Sequence, residues 1–166
     1  IVDHALAASE YYVSRNTIAE CLHFAQDQLK IASSILPTKS QFGAQNIGRI
    51  SKGAAQALLA KVYLYEASYA KNYSSDERFT GCTNTYALAL TYADSVIASG
   101  EYSLPGLNGE TYDTYWSQNA SPIYPNGTPG YRYIFTVEGE NSGESVFGMQ
   151  SVNDGLGYML SRGTYL

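Results

Sequence analysis

Residues 48–67 read GRISKGAAQALLAKVYLYEA and are the most regular stretch of the chain. Apolar residues recur along it at the spacing of an α-helix, and further small or apolar residues widen the stripe sideways. The stripe comprises Ala55, Leu58, Leu59, Val62 and Tyr65, and the residues beside it are Ala54, Ala57 and Leu64. A surface helix needs only one apolar stripe. We therefore predict that a helix over 51–69, with Ser51 as its N-cap, packs on two sides as the middle layer of a stack.

A second helix is indicated by a capping box. Thr17 and Glu20 stand three residues apart, so that each side chain can bond the backbone N–H of the other. The residues that follow keep helical spacing up to Pro37, which ends the helix because proline has no N–H and clashes with the preceding turn. The predicted helix covers 17–36, and Cys21 on its apolar side is expected to be a small buried hydrophobe.

Two shorter helical patterns complete the set. One covers 2–12, and the other covers 86–99 and ends at Gly100, which is placed as a C′ residue in the left-handed conformation. The helices then pair over 2–36 and over 51–99, and such pairs are the unit of a helical solenoid. The second pair approximates the tetratricopeptide pattern of small and aromatic residues. We predict a mainly α fold of tetratricopeptide-like helix pairs with long irregular loops and at most one short strand or hairpin.

The chain changes character after the last predicted helix. Residues 101–135 hold four of the five prolines, together with glycines, asparagines and aromatic residues, and keep no helical period. Residues 144–152 are typical of an extended segment or short strand. A chain of 166 residues has the size of one domain. We therefore expect a single domain over 1–166, with an aromatic loop region over 101–152.

Composition excludes several function classes. The net charge of −5 gives no basic footprint for nucleic acid. No apolar run is long enough to span a bilayer, and no signal peptide stands at the start. His4 and His23 have no second ligand four residues on, and Cys21 and Cys82 lack metal-ligand spacing, so we expect no metal and no cofactor. A disulfide between these cysteines is the disfavoured alternative.

Three stretches of the chain, taken together, resemble the SusD/RagB family of outer-membrane nutrient-binding lipoproteins. The first is GRISKGAA followed by LLAKVYLY (48–65), and the second is YADSVIASGEYSL (92–104). The third is NSGESVFGMQ (141–150), and DQL (27–29) followed by LP (36–37) precedes the first. Their order and spacing fit the central region of that family, and the first two are the specific signals.

The resemblance implies a SusD-like α-α superhelix whose inserted loops carry the ligand contacts. It also implies a non-catalytic protein on the bacterial outer surface, tethered by a lipid on an N-terminal cysteine. Its partners would be a glycan and a SusC-like TonB-dependent transporter, to which captured oligosaccharide is handed over. Neither Cys21 nor Cys82 stands in the context of a lipid-bearing cysteine, and family members are much longer. We therefore interpret the chain as a central fragment, with the anchor elsewhere.

The loop region supplies the residue types that a carbohydrate site needs. Aromatic faces cover the apolar side of a sugar ring, while amides and arginine bond its hydroxyls. Loops on a rigid scaffold are where binding residues concentrate. The candidate ligand residues are Tyr115, Trp116, Asn119, Tyr124, Tyr131, Arg132 and Tyr133. Each aromatic has a structural alternative, in which it anchors a long loop onto the helices, because large aromatics are usually substantially buried.

Two other function classes are weighed against this interpretation. The acidic residues Glu138, Glu140, Glu144 and Asp154 are better explained as solvated charges than as the facing pair of a glycoside hydrolase, so we predict no catalytic residue. The alternative function is a tetratricopeptide-type protein-interaction module. Its groove would present exposed charged or amide residues on the inner helix face, where helices 51–69 and 86–99 present mainly small apolar ones.

Overall fold

The computed structural model describes residues 1–43, 46–104, 141 and 143–148. Within this part of the chain there are three α-helices and no strand, so the predicted mainly α fold is confirmed. The helices are α1 (Ile18–Ile35), α2 (Lys52–Asn72) and α3 (Tyr86–Ala98), and 3₁₀ turns form at Ala8–Glu10, Lys39–Gln41 and Glu77–Phe79. None of the helices described has the length and apolarity needed to cross a membrane.

The chain divides into two compact units. Residues 1–36 and 52–98 form the first, which we call the helical unit because it contains all three helices. Residues 37–51 and 99–166 form the second unit.

The capping box at the start of α1 is confirmed. The Thr17 hydroxyl accepts a hydrogen bond from the backbone N–H of Glu20 at 3.1 Å, and the Glu20 carboxylate accepts one from the backbone N–H of Thr17 at 2.8 Å. At the other end, Leu36 has an extended backbone (φ −72°, ψ 143°), which is the conformation that a following proline favours. Local sequence signals therefore set both ends of α1.

Helix α2 lies between α1 and α3 and packs against both, which confirms its predicted place in the middle of a stack. The core of the helical unit forms around Leu59 and Tyr63, which are 0% and 3% exposed. Leu29 of α1 packs against this core from one side. From the other side, the ring of Tyr92 on α3 stacks on Tyr63 with centroids 5.7 Å apart and planes inclined by 16°.

The buried face of α2 overlaps the predicted stripe only in part: Ala55 and Leu59 are buried, as predicted. Leu58, Leu64 and Tyr65 are each about half exposed, whereas Tyr63 and Ala67 are buried. Residues at i, i+4 and i+8 from Leu59 point into the core, so the buried stripe is displaced around the helix from the predicted one. Because α2 is apolar over much of its circumference, periodicity did not define which stripe would be covered. The helix also ends at Asn72, three residues beyond the predicted end.

Two predictions for the N-terminal part are wrong. The expected helix over 2–12 is reduced to the turn Ala8–Glu10, and none of its residues is buried. A short helix without an apolar surface to pack against is marginal in water. The pairs are consequently α1 with α2 and α2 with α3, not 2–12 with 17–36. Cys21 is exposed, because the buried positions of α1 are Ala19 and Gln26.

Gly100 and Gly81 both adopt the left-handed backbone conformation that favours glycine. Gly100 has φ +67°, which confirms the left-handed C′ position directly after α3 and its capping residue. Gly81 has φ +91°, and a Cβ at this position would lie 3.1 Å from the Cβ of Ala19 on α1. The loop between α2 and α3 thus approaches α1 more closely than a side chain on residue 81 would readily permit.

Part of the predicted strand region can be compared with the structure. Residues 144–148 form a turn, a bend and irregular backbone, so a strand, one of the two predicted alternatives, is wrong for this portion. Residues 149–152, and the aromatic region from 105 to 135, lie outside the described residues. Cys21 and Cys82 are both free thiols.

Replacing Leu59 by alanine tests the position of the core. We expect Leu59→Ala to lower the free energy of unfolding by about 2–5 kcal/mol, because it opens a cavity at a fully buried site. The matched control is Leu58→Ala on the same helix, where the side chain is 51% exposed, and its effect should stay below about 1 kcal/mol. Urea unfolding followed by circular dichroism measures both; equal effects would contradict the assignment of the buried stripe.

Candidate functional site

The candidate ligand residues from the sequence all lie outside the residues that the structure describes: Tyr115, Trp116, Asn119, Tyr124, Tyr131, Arg132 and Tyr133. The same holds for Glu138, Glu140 and Asp154 among the acidic residues considered for hydrolysis. Glu144 is described and is partly buried in the second unit. These predictions therefore stay predictions. The described residues contain two other arrangements of polar groups, one in each unit.

The first arrangement surrounds the carboxylate of Glu66, which is fully buried on α2. Its Oε2 accepts a hydrogen bond from Gln26 Nε2 at 2.6 Å. Its Oε1 accepts from both the backbone N–H and the hydroxyl of Thr83, each at 3.0 Å, and lies 3.0 Å from His23 Nε2. We call these four residues the Glu66 cluster. It joins α1, α2 and the loop before α3.

Hydrogen bonds keep Glu66 ionised. Burial raises the pKa of its carboxyl group, but the bonds from Gln26, His23 and Thr83 outweigh burial, and the pKa lies below its ordinary value. An ionised carboxylate only accepts hydrogen bonds, so His23 Nε2 must carry a proton and donate it. The hydrogen bond to Glu66 thus places a proton on Nε2 of the His23 ring.

The Glu66 cluster resembles two members of a catalytic triad, since a buried carboxylate orients an imidazole that is 47% exposed. A triad also needs a nucleophile bonded to that imidazole. The hydrogen bond of His23 to Glu66 is its only one among the described residues, and no hydroxyl or thiol there bonds to the ring. Nor do the described residues include a group of three potential metal ligands. The contacts that the structure describes link α1, α2 and the loop before α3.

The sequence contains a signal for this cluster that is absent from the predictions above. Glu66 follows Leu59 by seven residues and Tyr63 by three, which places it on the same helical stripe as the core. A carboxylate on a buried stripe requires partners. The partner of His23 lies 43 residues away on another helix, so the residues next to His23 in the sequence do not reveal the contact.

The second arrangement is a pocket of about 230 Å³ in the second unit, which we call the motif pocket. Parts of the stretches that resemble the SusD/RagB family meet here. Gly48, Arg49 and Ser51 of the first stretch line the pocket, and so do Asn141 and residues 145–148 of the third. The pocket is lined by Lys39, Phe42, Ile47, Gly48, Arg49, Ser51, Asn141, Ser145, Val146, Phe147 and Gly148.

Hydrogen bonds join these distant segments of the second unit. The Ser51 hydroxyl lies 2.8 Å from the Tyr102 hydroxyl, which connects the first stretch to the second. The backbone N–H of Ser103 donates to the carbonyl of Gly143 at 3.1 Å, which connects the second stretch to the third. Lys39 Nζ donates to the Ser145 carbonyl at 2.9 Å. The pocket is thus built from segments that are far apart in the sequence.

The charges beside the motif pocket are fixed by their surroundings. Lys39 Nζ lies 5.4 Å from the centroid of the Tyr102 ring, a cation–π distance. Burial lowers the pKa of Lys39, and the nearby Glu101 opposes this effect. Glu101 itself accepts two hydrogen bonds of 2.7 Å from the hydroxyl and backbone N–H of Ser40, which lower its pKa.

The lining of the motif pocket combines the groups that bind polar ring compounds. Phe42 and Phe147 supply aromatic surface, while Lys39, Arg49 and Asn141 supply hydrogen-bonding groups. Asn141 has φ +58°, a left-handed conformation that asparagine adopts more readily than most residues. The volume is below that of pockets for drug-sized ligands, so a single ring or small polar group is the expected occupant.

Comparisons of the chain with protein-family models, with curated proteins and with solved structures return no match.

The Glu66 cluster predicts how stability depends on pH. Because the pKa of Glu66 is lower in the folded chain than the 4.5 of a free glutamic acid, its stabilisation is present above pH 4.5 and is lost as the pH falls through the folded pKa. At pH 7 we expect Glu66→Gln to lower the free energy of unfolding by about 2 kcal/mol or more, since bonds to a charged acceptor are lost.

The measurement is urea unfolding of the parent chain and Glu66→Gln between pH 3 and 7. The difference in unfolding free energy between the two should shrink as the pH falls below 4.5. Glu77→Gln, at an exposed position, removes the same charge and should leave stability nearly unchanged. A pH-independent difference for Glu66→Gln would show that the buried carboxyl is not ionised.

Proposed function

We propose that the chain is the central part of a SusD-like glycan-binding lipoprotein. It binds oligosaccharide or polysaccharide nutrients at the bacterial outer surface without cleaving them, and hands them to a SusC-like TonB-dependent transporter. The sequence resemblance of 48–65, 92–104 and 141–150 motivates this proposal. The observation that carries it is that parts of these three stretches come together in the second unit, joined by hydrogen bonds beside the motif pocket.

The chemistry of the second unit supports a sugar ligand. A sugar ring offers an apolar face and a rim of hydroxyl groups, and both are matched by aromatic rings beside amides and cations. Phe42, Phe147, Arg49 and Asn141 provide this combination in the described lining. The sequence predicts further aromatic and amide groups between 112 and 133. In this proposal the helices serve as a support and the loops bind the ligand.

The proposal assigns no catalytic role to the acidic residues. Glycoside hydrolysis needs two carboxyl groups that face each other across the bound sugar. Glu66, the most deeply buried carboxylate described, has both oxygens engaged by Gln26, His23 and Thr83, and it does not line the motif pocket. In this proposal it stabilises the support. The parent protein is placed at the outer membrane, held there by a lipid anchor.

One observation favours the alternative, a tetratricopeptide-type protein-interaction module. The helical unit has an apolar groove with a volume of about 320 Å³ between α1 and α2. Leu58 and Tyr65 within it are about half exposed. Amphipathic helices bind in such grooves through apolar side chains at helical spacing. The lining residues are Leu22, Leu58, Lys61, Val62, Tyr65 and Tyr69.

The single tryptophan of the chain gives a direct test. If Trp116 stacks on a sugar ring, titration with a panel of neutral and acidic polysaccharides should change its fluorescence in parallel with the heat of binding measured by calorimetry. Trp116→Ala should weaken binding about fivefold or more, since aromatic contacts of this kind contribute about 1 kcal/mol or more. Tyr12→Ala, which removes a fully exposed aromatic ring from the helical unit, is the control and should bind as the parent does.

Absence of binding across the panel would contradict the proposed function. Binding that survives Trp116→Ala unchanged would keep the function and remove Trp116 from the site. Binding of an amphipathic helical peptide that Leu58→Ala abolishes, with no glycan bound, would instead support the interaction module.

A further inference from the structure

The motif pocket has an unusual balance of charge for this chain. The protein contains 15 acidic and 10 basic residues, yet the pocket lining includes two cations, Lys39 and Arg49, and no carboxylate among the described residues. The described lining of the pocket is therefore positively charged, although the net charge of the chain is −5. A positive region within an otherwise acidic protein indicates an anionic ligand group.

Arg49 supplies the available hydrogen-bond donors. Its side chain is exposed at the pocket, and no ion pair or side-chain hydrogen bond in the described part of the chain uses its guanidinium group. Guanidinium presents donors in a planar fork that matches a carboxylate in a bidentate manner. The guanidinium group of Arg49 can therefore bind a planar anionic group of a ligand in the pocket.

Lys39 adds a second, positioned charge. Its ammonium group is held between the Ser145 carbonyl and the Tyr102 ring. The carboxylate of Glu101, which is close enough to affect the pKa of Lys39, accepts hydrogen bonds from Ser40 and does not line the pocket. Lys39 therefore contributes positive potential to the pocket while it keeps its contacts with Ser145 and Tyr102. The ligand's anionic group would be bonded directly by Arg49.

From these observations we infer that the motif pocket binds the carboxylate of a uronic acid residue, so that the glycan ligand is an acidic one. This inference rests on the proposed function and specifies its substrate class. Phe42 and Phe147 provide apolar surface for the sugar ring, Asn141 provides an amide for its hydroxyls, and Arg49 pairs with the carboxylate. A neutral sugar of the same shape would leave the fork of Arg49 without its anion.

The experiment compares acidic oligosaccharides with neutral ones of identical backbone. Galacturonate and glucuronate oligosaccharides and their methyl esters are titrated into the full chain by calorimetry at low and moderate salt. We expect at least one acid to bind about tenfold or more tightly than its ester, because a charge-assisted hydrogen bond is lost in the ester. The difference should decrease as salt is added.

Variants of the pocket locate the effect. Arg49→Gln removes the charge and should lower affinity for the acid about tenfold while leaving the ester unchanged. Arg49→Lys keeps the charge but not the fork, and should fall between the two. Arg15→Gln removes an exposed arginine from the helical unit and is the matched control, with no expected change. Circular dichroism and thermal midpoints verify that each variant is folded.

The outcomes separate this inference from the proposed function. Equal affinity for acid and ester, or tighter binding of neutral glycans, would overturn the inference and leave glycan binding intact. A preference for the acid that Arg49→Gln does not reduce would overturn the assignment to this pocket. Absence of binding to the acids, the esters and a panel of neutral glycans would overturn both.

Discussion

The helical unit depends on one buried negative charge. The Glu66 carboxylate has no exposed surface, and an ionised carboxylate is stable away from water only if hydrogen-bond donors surround it. Its donors come from Gln26 and His23 on α1 and from Thr83 in the loop before α3. These elements must therefore take their positions together. A buried charge of this kind contributes to the choice of one arrangement over other ways of packing alanine-rich helices.

The apolar contacts of α2 complement this constraint. Tyr63 stacks on Tyr92 of α3, while Leu29 of α1 packs against the same core. Small residues along α2, such as Ala55 and Ala67, are almost completely buried and allow neighbouring backbones to come close. The Glu66 cluster fixes the geometry through directed hydrogen bonds, whereas these contacts bury the apolar side chains of the core. The two together explain why an apolar helix with several possible faces adopts one of them.

The second unit is organised on a different principle. Its described contacts are mostly polar: Ser51 with Tyr102, Ser103 with Gly143, and Lys39 with Ser145. Contacts of this type bring separate loops to one place and leave a pocket with directed polar groups, which is a usual basis for ligand recognition. The proposed glycan function and the preference for an acidic sugar both follow from the chemistry of that pocket.

Much of the helical framework could be predicted from the sequence, because its signals are local. The pairing of Thr17 with Glu20 and the left-handed Gly100 depend on residues within one turn, and both were expected. Burial depends on partners that are distant in the chain. Neighbouring residues alone did not determine that Cys21 would be exposed or that Glu66 would find its donors on another helix and in a loop. The local pattern thus determined both ends of α1 and the end of α3. Only tertiary packing decided whether residues 2–12 form a helix and which faces and charges the helices bury, because both depend on partners distant in the chain.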